Sequence, residues 1–151
     1  MRIALFSDLH LSHWNRLDLG KDLSQLVREC SPADVVFNAG DTHEARFNLA
    51  NPGWMKAEWF KDKPYYEIKG NHDYYDGTFK NEFYTFELGD HHKVFAGTLW
   101  TNFNNNPLTA MVAERSINDF RLITDDAGDL IIQLFLVEIV LVLLRQLERR
   151  P

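Results

Sequence analysis

Tyr65-Tyr66-Glu67-Ile68-Lys69-Gly70-Asn71-His72-Asp73 is a short aromatic and apolar run that stops at a glycine and then presents a carboxamide, an imidazole and a carboxylate. Its first four residues read as a strand, and Gly70-Asn71 reads as the turn that ends it. Two stretches upstream are built the same way. Asp8-Leu9-His10 follows the apolar run Arg2-Ile3-Ala4-Leu5-Phe6-Ser7, and Gly40-Asp41 follows Val35-Val36-Phe37. The run at residues 2–7 has the look of a central, buried strand. Three strand-like segments, each delivering polar residues at its end, set the fold class as α/β.

Between the first two strands the hydrophobic period changes. Leu19, Leu23, Leu26, Val27 and Cys30 fall on one helical face, with Lys21, Asp22, Gln25 and Arg28 opposite. This predicts a helix from Leu17 to Cys30 that Ser31-Pro32 terminates, since proline cannot continue it. Strand–helix–strand with a short β-branched run implies a parallel pair with a right-handed crossover. After Asp41 comes a polar loop, then a short helix over Trp54–Phe60, broken by Lys63-Pro64. Further strands are predicted at Glu82–Leu88 and Val94–Trp100. Thr101–Asn106 reads as an asparagine-rich loop. Asn106-Pro107 then starts a helix, with a capping side chain before a proline at the first helical position.

Bulk composition narrows the classes. The 151 residues suggest one domain, 45% hydrophobic and 25% charged, with 11 Phe and 4 Trp. A net charge of −6 gives no whole-molecule basic field, which disfavours long nucleic acid as a partner. Cys30 is the single cysteine, so no internal disulfide framework exists and a reducing cytoplasm is the expected location. Asp8 and His10 interrupt any signal-peptide core. The tail stands apart: from Leu130 to Leu144 only Gln133 and Glu138 are polar. That run of 15 residues is short of the ~20 a membrane span needs. A buried helix or strand is expected, with no membrane span, and an apolar tail of this kind favours self-association.

Parallel strands bring their carboxyl ends to one edge, where open α/β folds bind ligands. The three polar clusters therefore converge although they are far apart in the chain. Asp8 and His10 stand two apart, so in extended backbone both would point to one side and suit a single ion. Asp41, behind a glycine, can set a carboxylate between two ions, and Asn71 offers a neutral carbonyl oxygen. Mixed oxygen and imidazole donors suit Mn²⁺, Fe or Zn²⁺ better than Ca²⁺. Two such ions ~3.5–4 Å apart would clamp a phosphoryl group, and His72 would serve acid–base chemistry beside them.

In this order and spacing, Asp8-x-His10, Gly40-Asp41 and Gly70-Asn71-His72-Asp73 resemble the first three motifs of the calcineurin-like metallophosphoesterase superfamily. The resemblance covers residues 1–126, including the strand with Thr98-Leu99-Trp100, and leaves 127–151 as an apolar C-terminal segment. It implies a four-layer α/β/β/α sandwich with a mixed sheet and two divalent metal ions. By it, Asp8 and His10 bind the first metal, Asp41 bridges both, Asn71 binds the second, and His72 is the catalytic histidine. The family also carries a later histidine motif and a Gly-His-x-His motif, whereas this sequence has no histidine after His92. The second metal would then keep only Asp41 and Asn71. The expectation is the N-terminal part of a longer enzyme, truncated or altered in reading frame and incomplete at its C-terminal end.

The function so implied is hydrolysis of small-molecule phosphate mono- or diesters. One rival is a catalytically incomplete protein that binds metal weakly or self-associates; another is a nuclease or nucleotide phosphodiesterase of the same superfamily. His13 and His43 read as surface histidines near the site, and His91-His92 as a solvated loop pair. Tyr74 and Tyr75 read as packing beside the loop or as a stacking platform. Asn118, Asp119 and Arg121 form a polar patch in which Arg121 is expected to make a salt bridge.

Overall fold

The computed structural model describes residues 1–14, 16–75, 83–89, 92–99, 103–124, 138–139 and 142–145; for 16–22, 99, 104 and the segments beyond 124 it describes backbone alone. The chain begins with β1 (Ile3–Phe6), α1 (Arg16–Cys30) and β2 (Val35–Asn38). Two short helices follow, α2 (Ala45–Ala50) and α3 (Trp54–Glu58), and then β3 (Tyr65–Glu67). β1, β2 and β3 form one parallel sheet in that order, with Ile3 opposite Val35 and Val36 opposite Tyr65. The central strand is β2, not β1. All four β2 residues are buried, whereas β1 is outermost among the described strands and leaves Leu5 51% exposed. An apolar run marks burial on both faces only when layers cover both, and it is Val35-Val36-Phe37 that is covered so.

Alternation along β2 assigns its two faces. Val35 and Phe37 pack with Leu88, Val94 and Ala96 of a second sheet, while Val36 meets Leu23, Cys30, Met55 and Phe60 from the helical side. Each such side chain contributes roughly 1.5–3 kcal/mol when fully buried. Sheet against sheet and helices against sheet thus share one strand. The α1 face read from sequence is the packed one: Leu23 and Cys30 are buried and Leu26 and Val27 lie against them, while the Leu19 side chain lies outside the described residues. Lys63 Nζ ties off the end of this unit, donating to the Ser31 and Ala33 carbonyls at 2.9 and 2.7 Å.

The second sheet is antiparallel. β4 (Phe83–Leu88) pairs β5 (His92–Leu99), and the far side of β5 takes β6 (Glu138–Ile139) and β7 (Val142–Arg145). Pairs Thr98–Ile139 and Phe95–Val142 share one register, so β6 and β7 run along β5 as two pieces of a single line. The described part of the apolar tail is therefore strand; the rest of Leu130–Leu144 lies outside the described residues. His92 opens β5, half-buried opposite Leu88 and Arg145, and is no loop residue; His91 lies outside the described residues. Among the described residues the parallel strands form one sheet and the antiparallel strands a second that packs against it, as the expected α/β/β/α sandwich with both strand senses requires.

α4 (Pro107–Ser116) starts as its sequence dictates, with Asn106 Oδ1 accepting the Leu108 and Thr109 N–H groups at 3.0 and 3.3 Å. After it, α5 (Asp119–Leu122) helps form a third apolar cluster of Tyr74, Ala113, Phe120 and Ile123. Arg121 makes no salt bridge among the described residues; its guanidinium donates to the Arg115 carbonyl at 2.9 Å, closing the last turn of α4. The loop after Asp41 is also more ordered than its polarity suggested, since Ala45–Ala50 turns into α2.

Candidate metal centre

The site is built where the loops after β1, β2 and β3 lie side by side. Asp8 N–H donates to the Gly40 carbonyl at 3.1 Å, His10 N–H to that of Asp41 and Leu11 N–H to that of Thr42, both at 2.9 Å. The backbone here is not extended. Asp8, His10 and Asp41 all have positive φ, at 54°, 44° and 54°. Non-glycine residues are held in that region only where the surroundings over-determine them, and such strain gathers at functional sites. Asp8 and His10 are therefore brought together by a left-handed turn: Asp8 Oδ1 lies 3.8 Å from His10 Nε2.

Two glycines make the close approach feasible. A Cβ on Gly40, whose φ is +98°, would fall 2.1 Å from the Gly70 nitrogen, and a Cβ on Gly70 would fall 2.2 Å from Asp41 Oδ1. The space a side chain would need at position 70 is the space the Asp41 carboxylate occupies. Asp73 then locks the loops. Its Oδ2 accepts the Asp41 and Gly70 N–H groups, both at 2.9 Å, and its Oδ1 accepts Asn48 Nδ2 of α2 at 2.6 Å. Below them the buried Asn38 side chain accepts the Gly40 N–H at 3.1 Å and donates to the Thr42 and Tyr65 hydroxyls.

His10, Asp41 and His72 form the tightest group, with potential ligand atoms all within 4.8 Å of one another. The His10 and His72 rings meet edge to face at 4.5 Å. Asp41 is 4% exposed, and its Oδ1 accepts the His72 N–H at 2.8 Å. Burial, then the charges of Asp73, Asp8 and Asp119, push its carboxyl up to about 7 against that hydrogen bond. The named charges acting on it, those of Asp73, Asp8 and Asp119, are all negative. Burial first and then His10 hold the His72 imidazole below the ordinary histidine range, which leaves a ring nitrogen with a lone pair. A buried carboxylate, two imidazoles and clustered negative charge fit a divalent cation by the chemistry of the donors.

Asp8 adjoins this group through His10, and its own side chain is 63% exposed. Asn71 sits beside it in the chain, but its Nδ2 turns to Asp119, at 2.9 and 3.1 Å from the two carboxylate oxygens. His13 reaches only the edge of His10, at 6.2 Å between rings. His43 is occupied elsewhere, stacked on Phe47 at 4.0 Å with Nδ1 accepting the Glu44 N–H. Tyr75 lies 4.3 Å from the His72 ring and donates to Asp119 at 2.5 Å, while Tyr74 is core. Asp73, read only as the end of the third motif, and Asp119, read only as part of a polar patch, had no role at the site assigned from sequence. For Asp73 a signal existed, an acceptor three residues past a glycine turn; for Asp119, remote in sequence, there was none.

Facing sheets with a histidine–carboxylate cluster on the carboxyl edge of the parallel one are the frame of a metal-dependent phosphoesterase domain, and the family match agrees. The chain belongs to the calcineurin-like phosphoesterase family, whose sequence model matches residues 1–146. No curated protein and no solved structure matched the chain. Among the described residues no helix is long and apolar enough to cross a membrane.

Proposed function

We propose that this chain hydrolyses small-molecule phosphate mono- or diesters at a centre of two divalent ions, Mn²⁺, Fe or Zn²⁺. Asp8 and His10 would hold the first, Asp41 both, and Asn71 the second. The observation that carries this reading is the buried Asp41, set among His10, His72 and the carboxylates of Asp73, Asp8 and Asp119, whose charges add to burial in pushing its own carboxyl up. When bound, the ions supply Lewis-acid polarisation of the phosphoryl group and balance the negative charge that develops there. His72, which lies against Asp41, would exchange a proton with the leaving oxygen as the acid–base group. Asp41 positions His72 in turn, by accepting its backbone N–H. Tyr75 flanks the His72 ring.

A second ion would draw only Asp41 and Asn71 from this chain and would bind more weakly than the first. A steep salt dependence of binding to nucleic acid would favour the nuclease reading instead. We place the protein in the cytoplasm on its single, buried Cys30. The experiment is hydrolysis of aryl phosphate mono- and diesters with and without Mn²⁺, alongside metal content. Mn²⁺-stimulated turnover is expected. No turnover with one metal or none bound would mean that the fold is formed but the catalyst is not complete, which is the reading with self-association as the alternative role.

A further inference from the structure

Asp119 is 4% exposed, yet it lies 48 residues from Asn71 and 44 from Tyr75, the two side chains that donate to it. Among the described residues no salt bridge neutralises it. A carboxylate this deeply buried, with only the neutral Asn71 and Tyr75 side chains donating to it among the described residues, is expensive unless its position does something. What it does follows from the donor inventory. A carboxylate accepts and cannot donate, so the end of the Asn71 carboxamide that meets it must be the NH₂. With Nδ2 held at 2.9 and 3.1 Å, the Asn71 carbonyl oxygen is obliged to face away from Asp119. Were the amide turned over, that oxygen would oppose two carboxylate oxygens with no proton between them.

We infer that Asp119 is a positioning residue that fixes the orientation of Asn71, so that the carbonyl oxygen is presented to a divalent cation. Tyr75 completes the arrangement. Its hydroxyl donates to Asp119 Oδ1 at 2.5 Å, which holds the carboxylate in the rotamer that meets Asn71. The inference rests on the reading of Asn71 as a metal ligand. Partners of this kind, one step behind the ligand, set its orientation, and their loss weakens metal affinity about 10- to 100-fold.

The test is a Mn²⁺ titration of the metal-free full chain, read by calorimetry, for wild type, Asn71→Ala, Asp119→Asn and the double variant. The carboxamide introduced by Asp119→Asn would retain the shape and one acceptor oxygen but accept either orientation of Asn71. Asp119→Asn is expected to weaken, by about 10-fold or more, the Mn²⁺ site that Asn71→Ala weakens, with no further loss in the double variant. Unchanged Mn²⁺ affinity in Asp119→Asn, while Asn71→Ala weakens it, overturns the role of Asp119 alone. Additive losses overturn it too, since Asp119 would then act through its charge and not through Asn71. No effect of Asn71→Ala removes the ligand reading itself. Should Asp119→Asn fail to fold, Tyr75→Phe, which keeps the ring and frees the carboxylate, is expected to weaken Mn²⁺ binding only when Asn71 is present; an equal loss in Asn71→Ala, or no loss, overturns the proposal.

Discussion

At Asp41 function and stability pull in opposite directions. Its carboxylate is buried against three others, and only a cation would balance them. Asp41→Asn keeps the oxygen that accepts the His72 N–H and removes the charge. The metal-free variant is expected to melt about 2–4 °C higher, the shift that ~1 kcal/mol gives in a chain of this size, while losing Mn²⁺-stimulated hydrolysis. A calorimetric scan beside the aryl phosphate assay reads both, and full activity in Asp41→Asn would show that the centre lies elsewhere. His72 poses a different question, because it sits within ligand distance of His10 and Asp41. If its work is proton transfer, His72→Gln lowers turnover by roughly 10²–10⁴-fold with metal content near wild type. Loss of metal from His72→Gln would move it from catalysis to the ligand set.

Among the elements, the loops after β2 and β3 behave as one unit, because Gly40 and Gly70 let them touch and Asp73 bonds them together. Gly70→Ala puts a methyl group 2.2 Å from Asp41 Oδ1, so the carboxylate or the backbone must move. Overpacking of this kind costs about 1–3 kcal/mol. The expected outcome is a lower melting temperature together with weaker Mn²⁺ binding, measured on the same sample. A Gly70→Ala protein with wild-type Mn²⁺ affinity would mean that Asp41 is not held where the glycine leaves room for it. This was only partly legible in the sequence. Gly40 and Gly70 announce turns, but nothing in either motif says that the two turns press on each other.

For the whole molecule, the second sheet depends on chain from its far end. β5 carries Val94, fully buried at the sheet interface, and its outer edge is covered by the pieces at 138–139 and 142–145. An uncovered edge invites pairing with another copy. In an antiparallel ladder successive residues donate alternately to the neighbour, so the double variant Leu143→Pro/Leu144→Pro removes a donor to β5 whichever of the two positions supplies it. It is expected to lower the melting temperature and to raise the apparent mass in size-exclusion chromatography with light scattering. Unchanged values for both would place the β5 edge outside the structure's stability.

The sequence by itself determined the three strand-end clusters, the helical face of α1, the cap of α4 and the candidate ligands Asp8, His10, Asp41 and Asn71, because each of these is written in local period, turn chemistry or spacing. Only the tertiary structure decided that β2 and not β1 is central, that Asp8 and His10 meet through a left-handed turn, and that Asp73 and Asp119 stand behind the site. The reason is that burial of a strand depends on what covers its two faces. The partner of a buried carboxylate, likewise, depends on which distant loop is folded against it. Neither is a property of neighbouring residues in the chain.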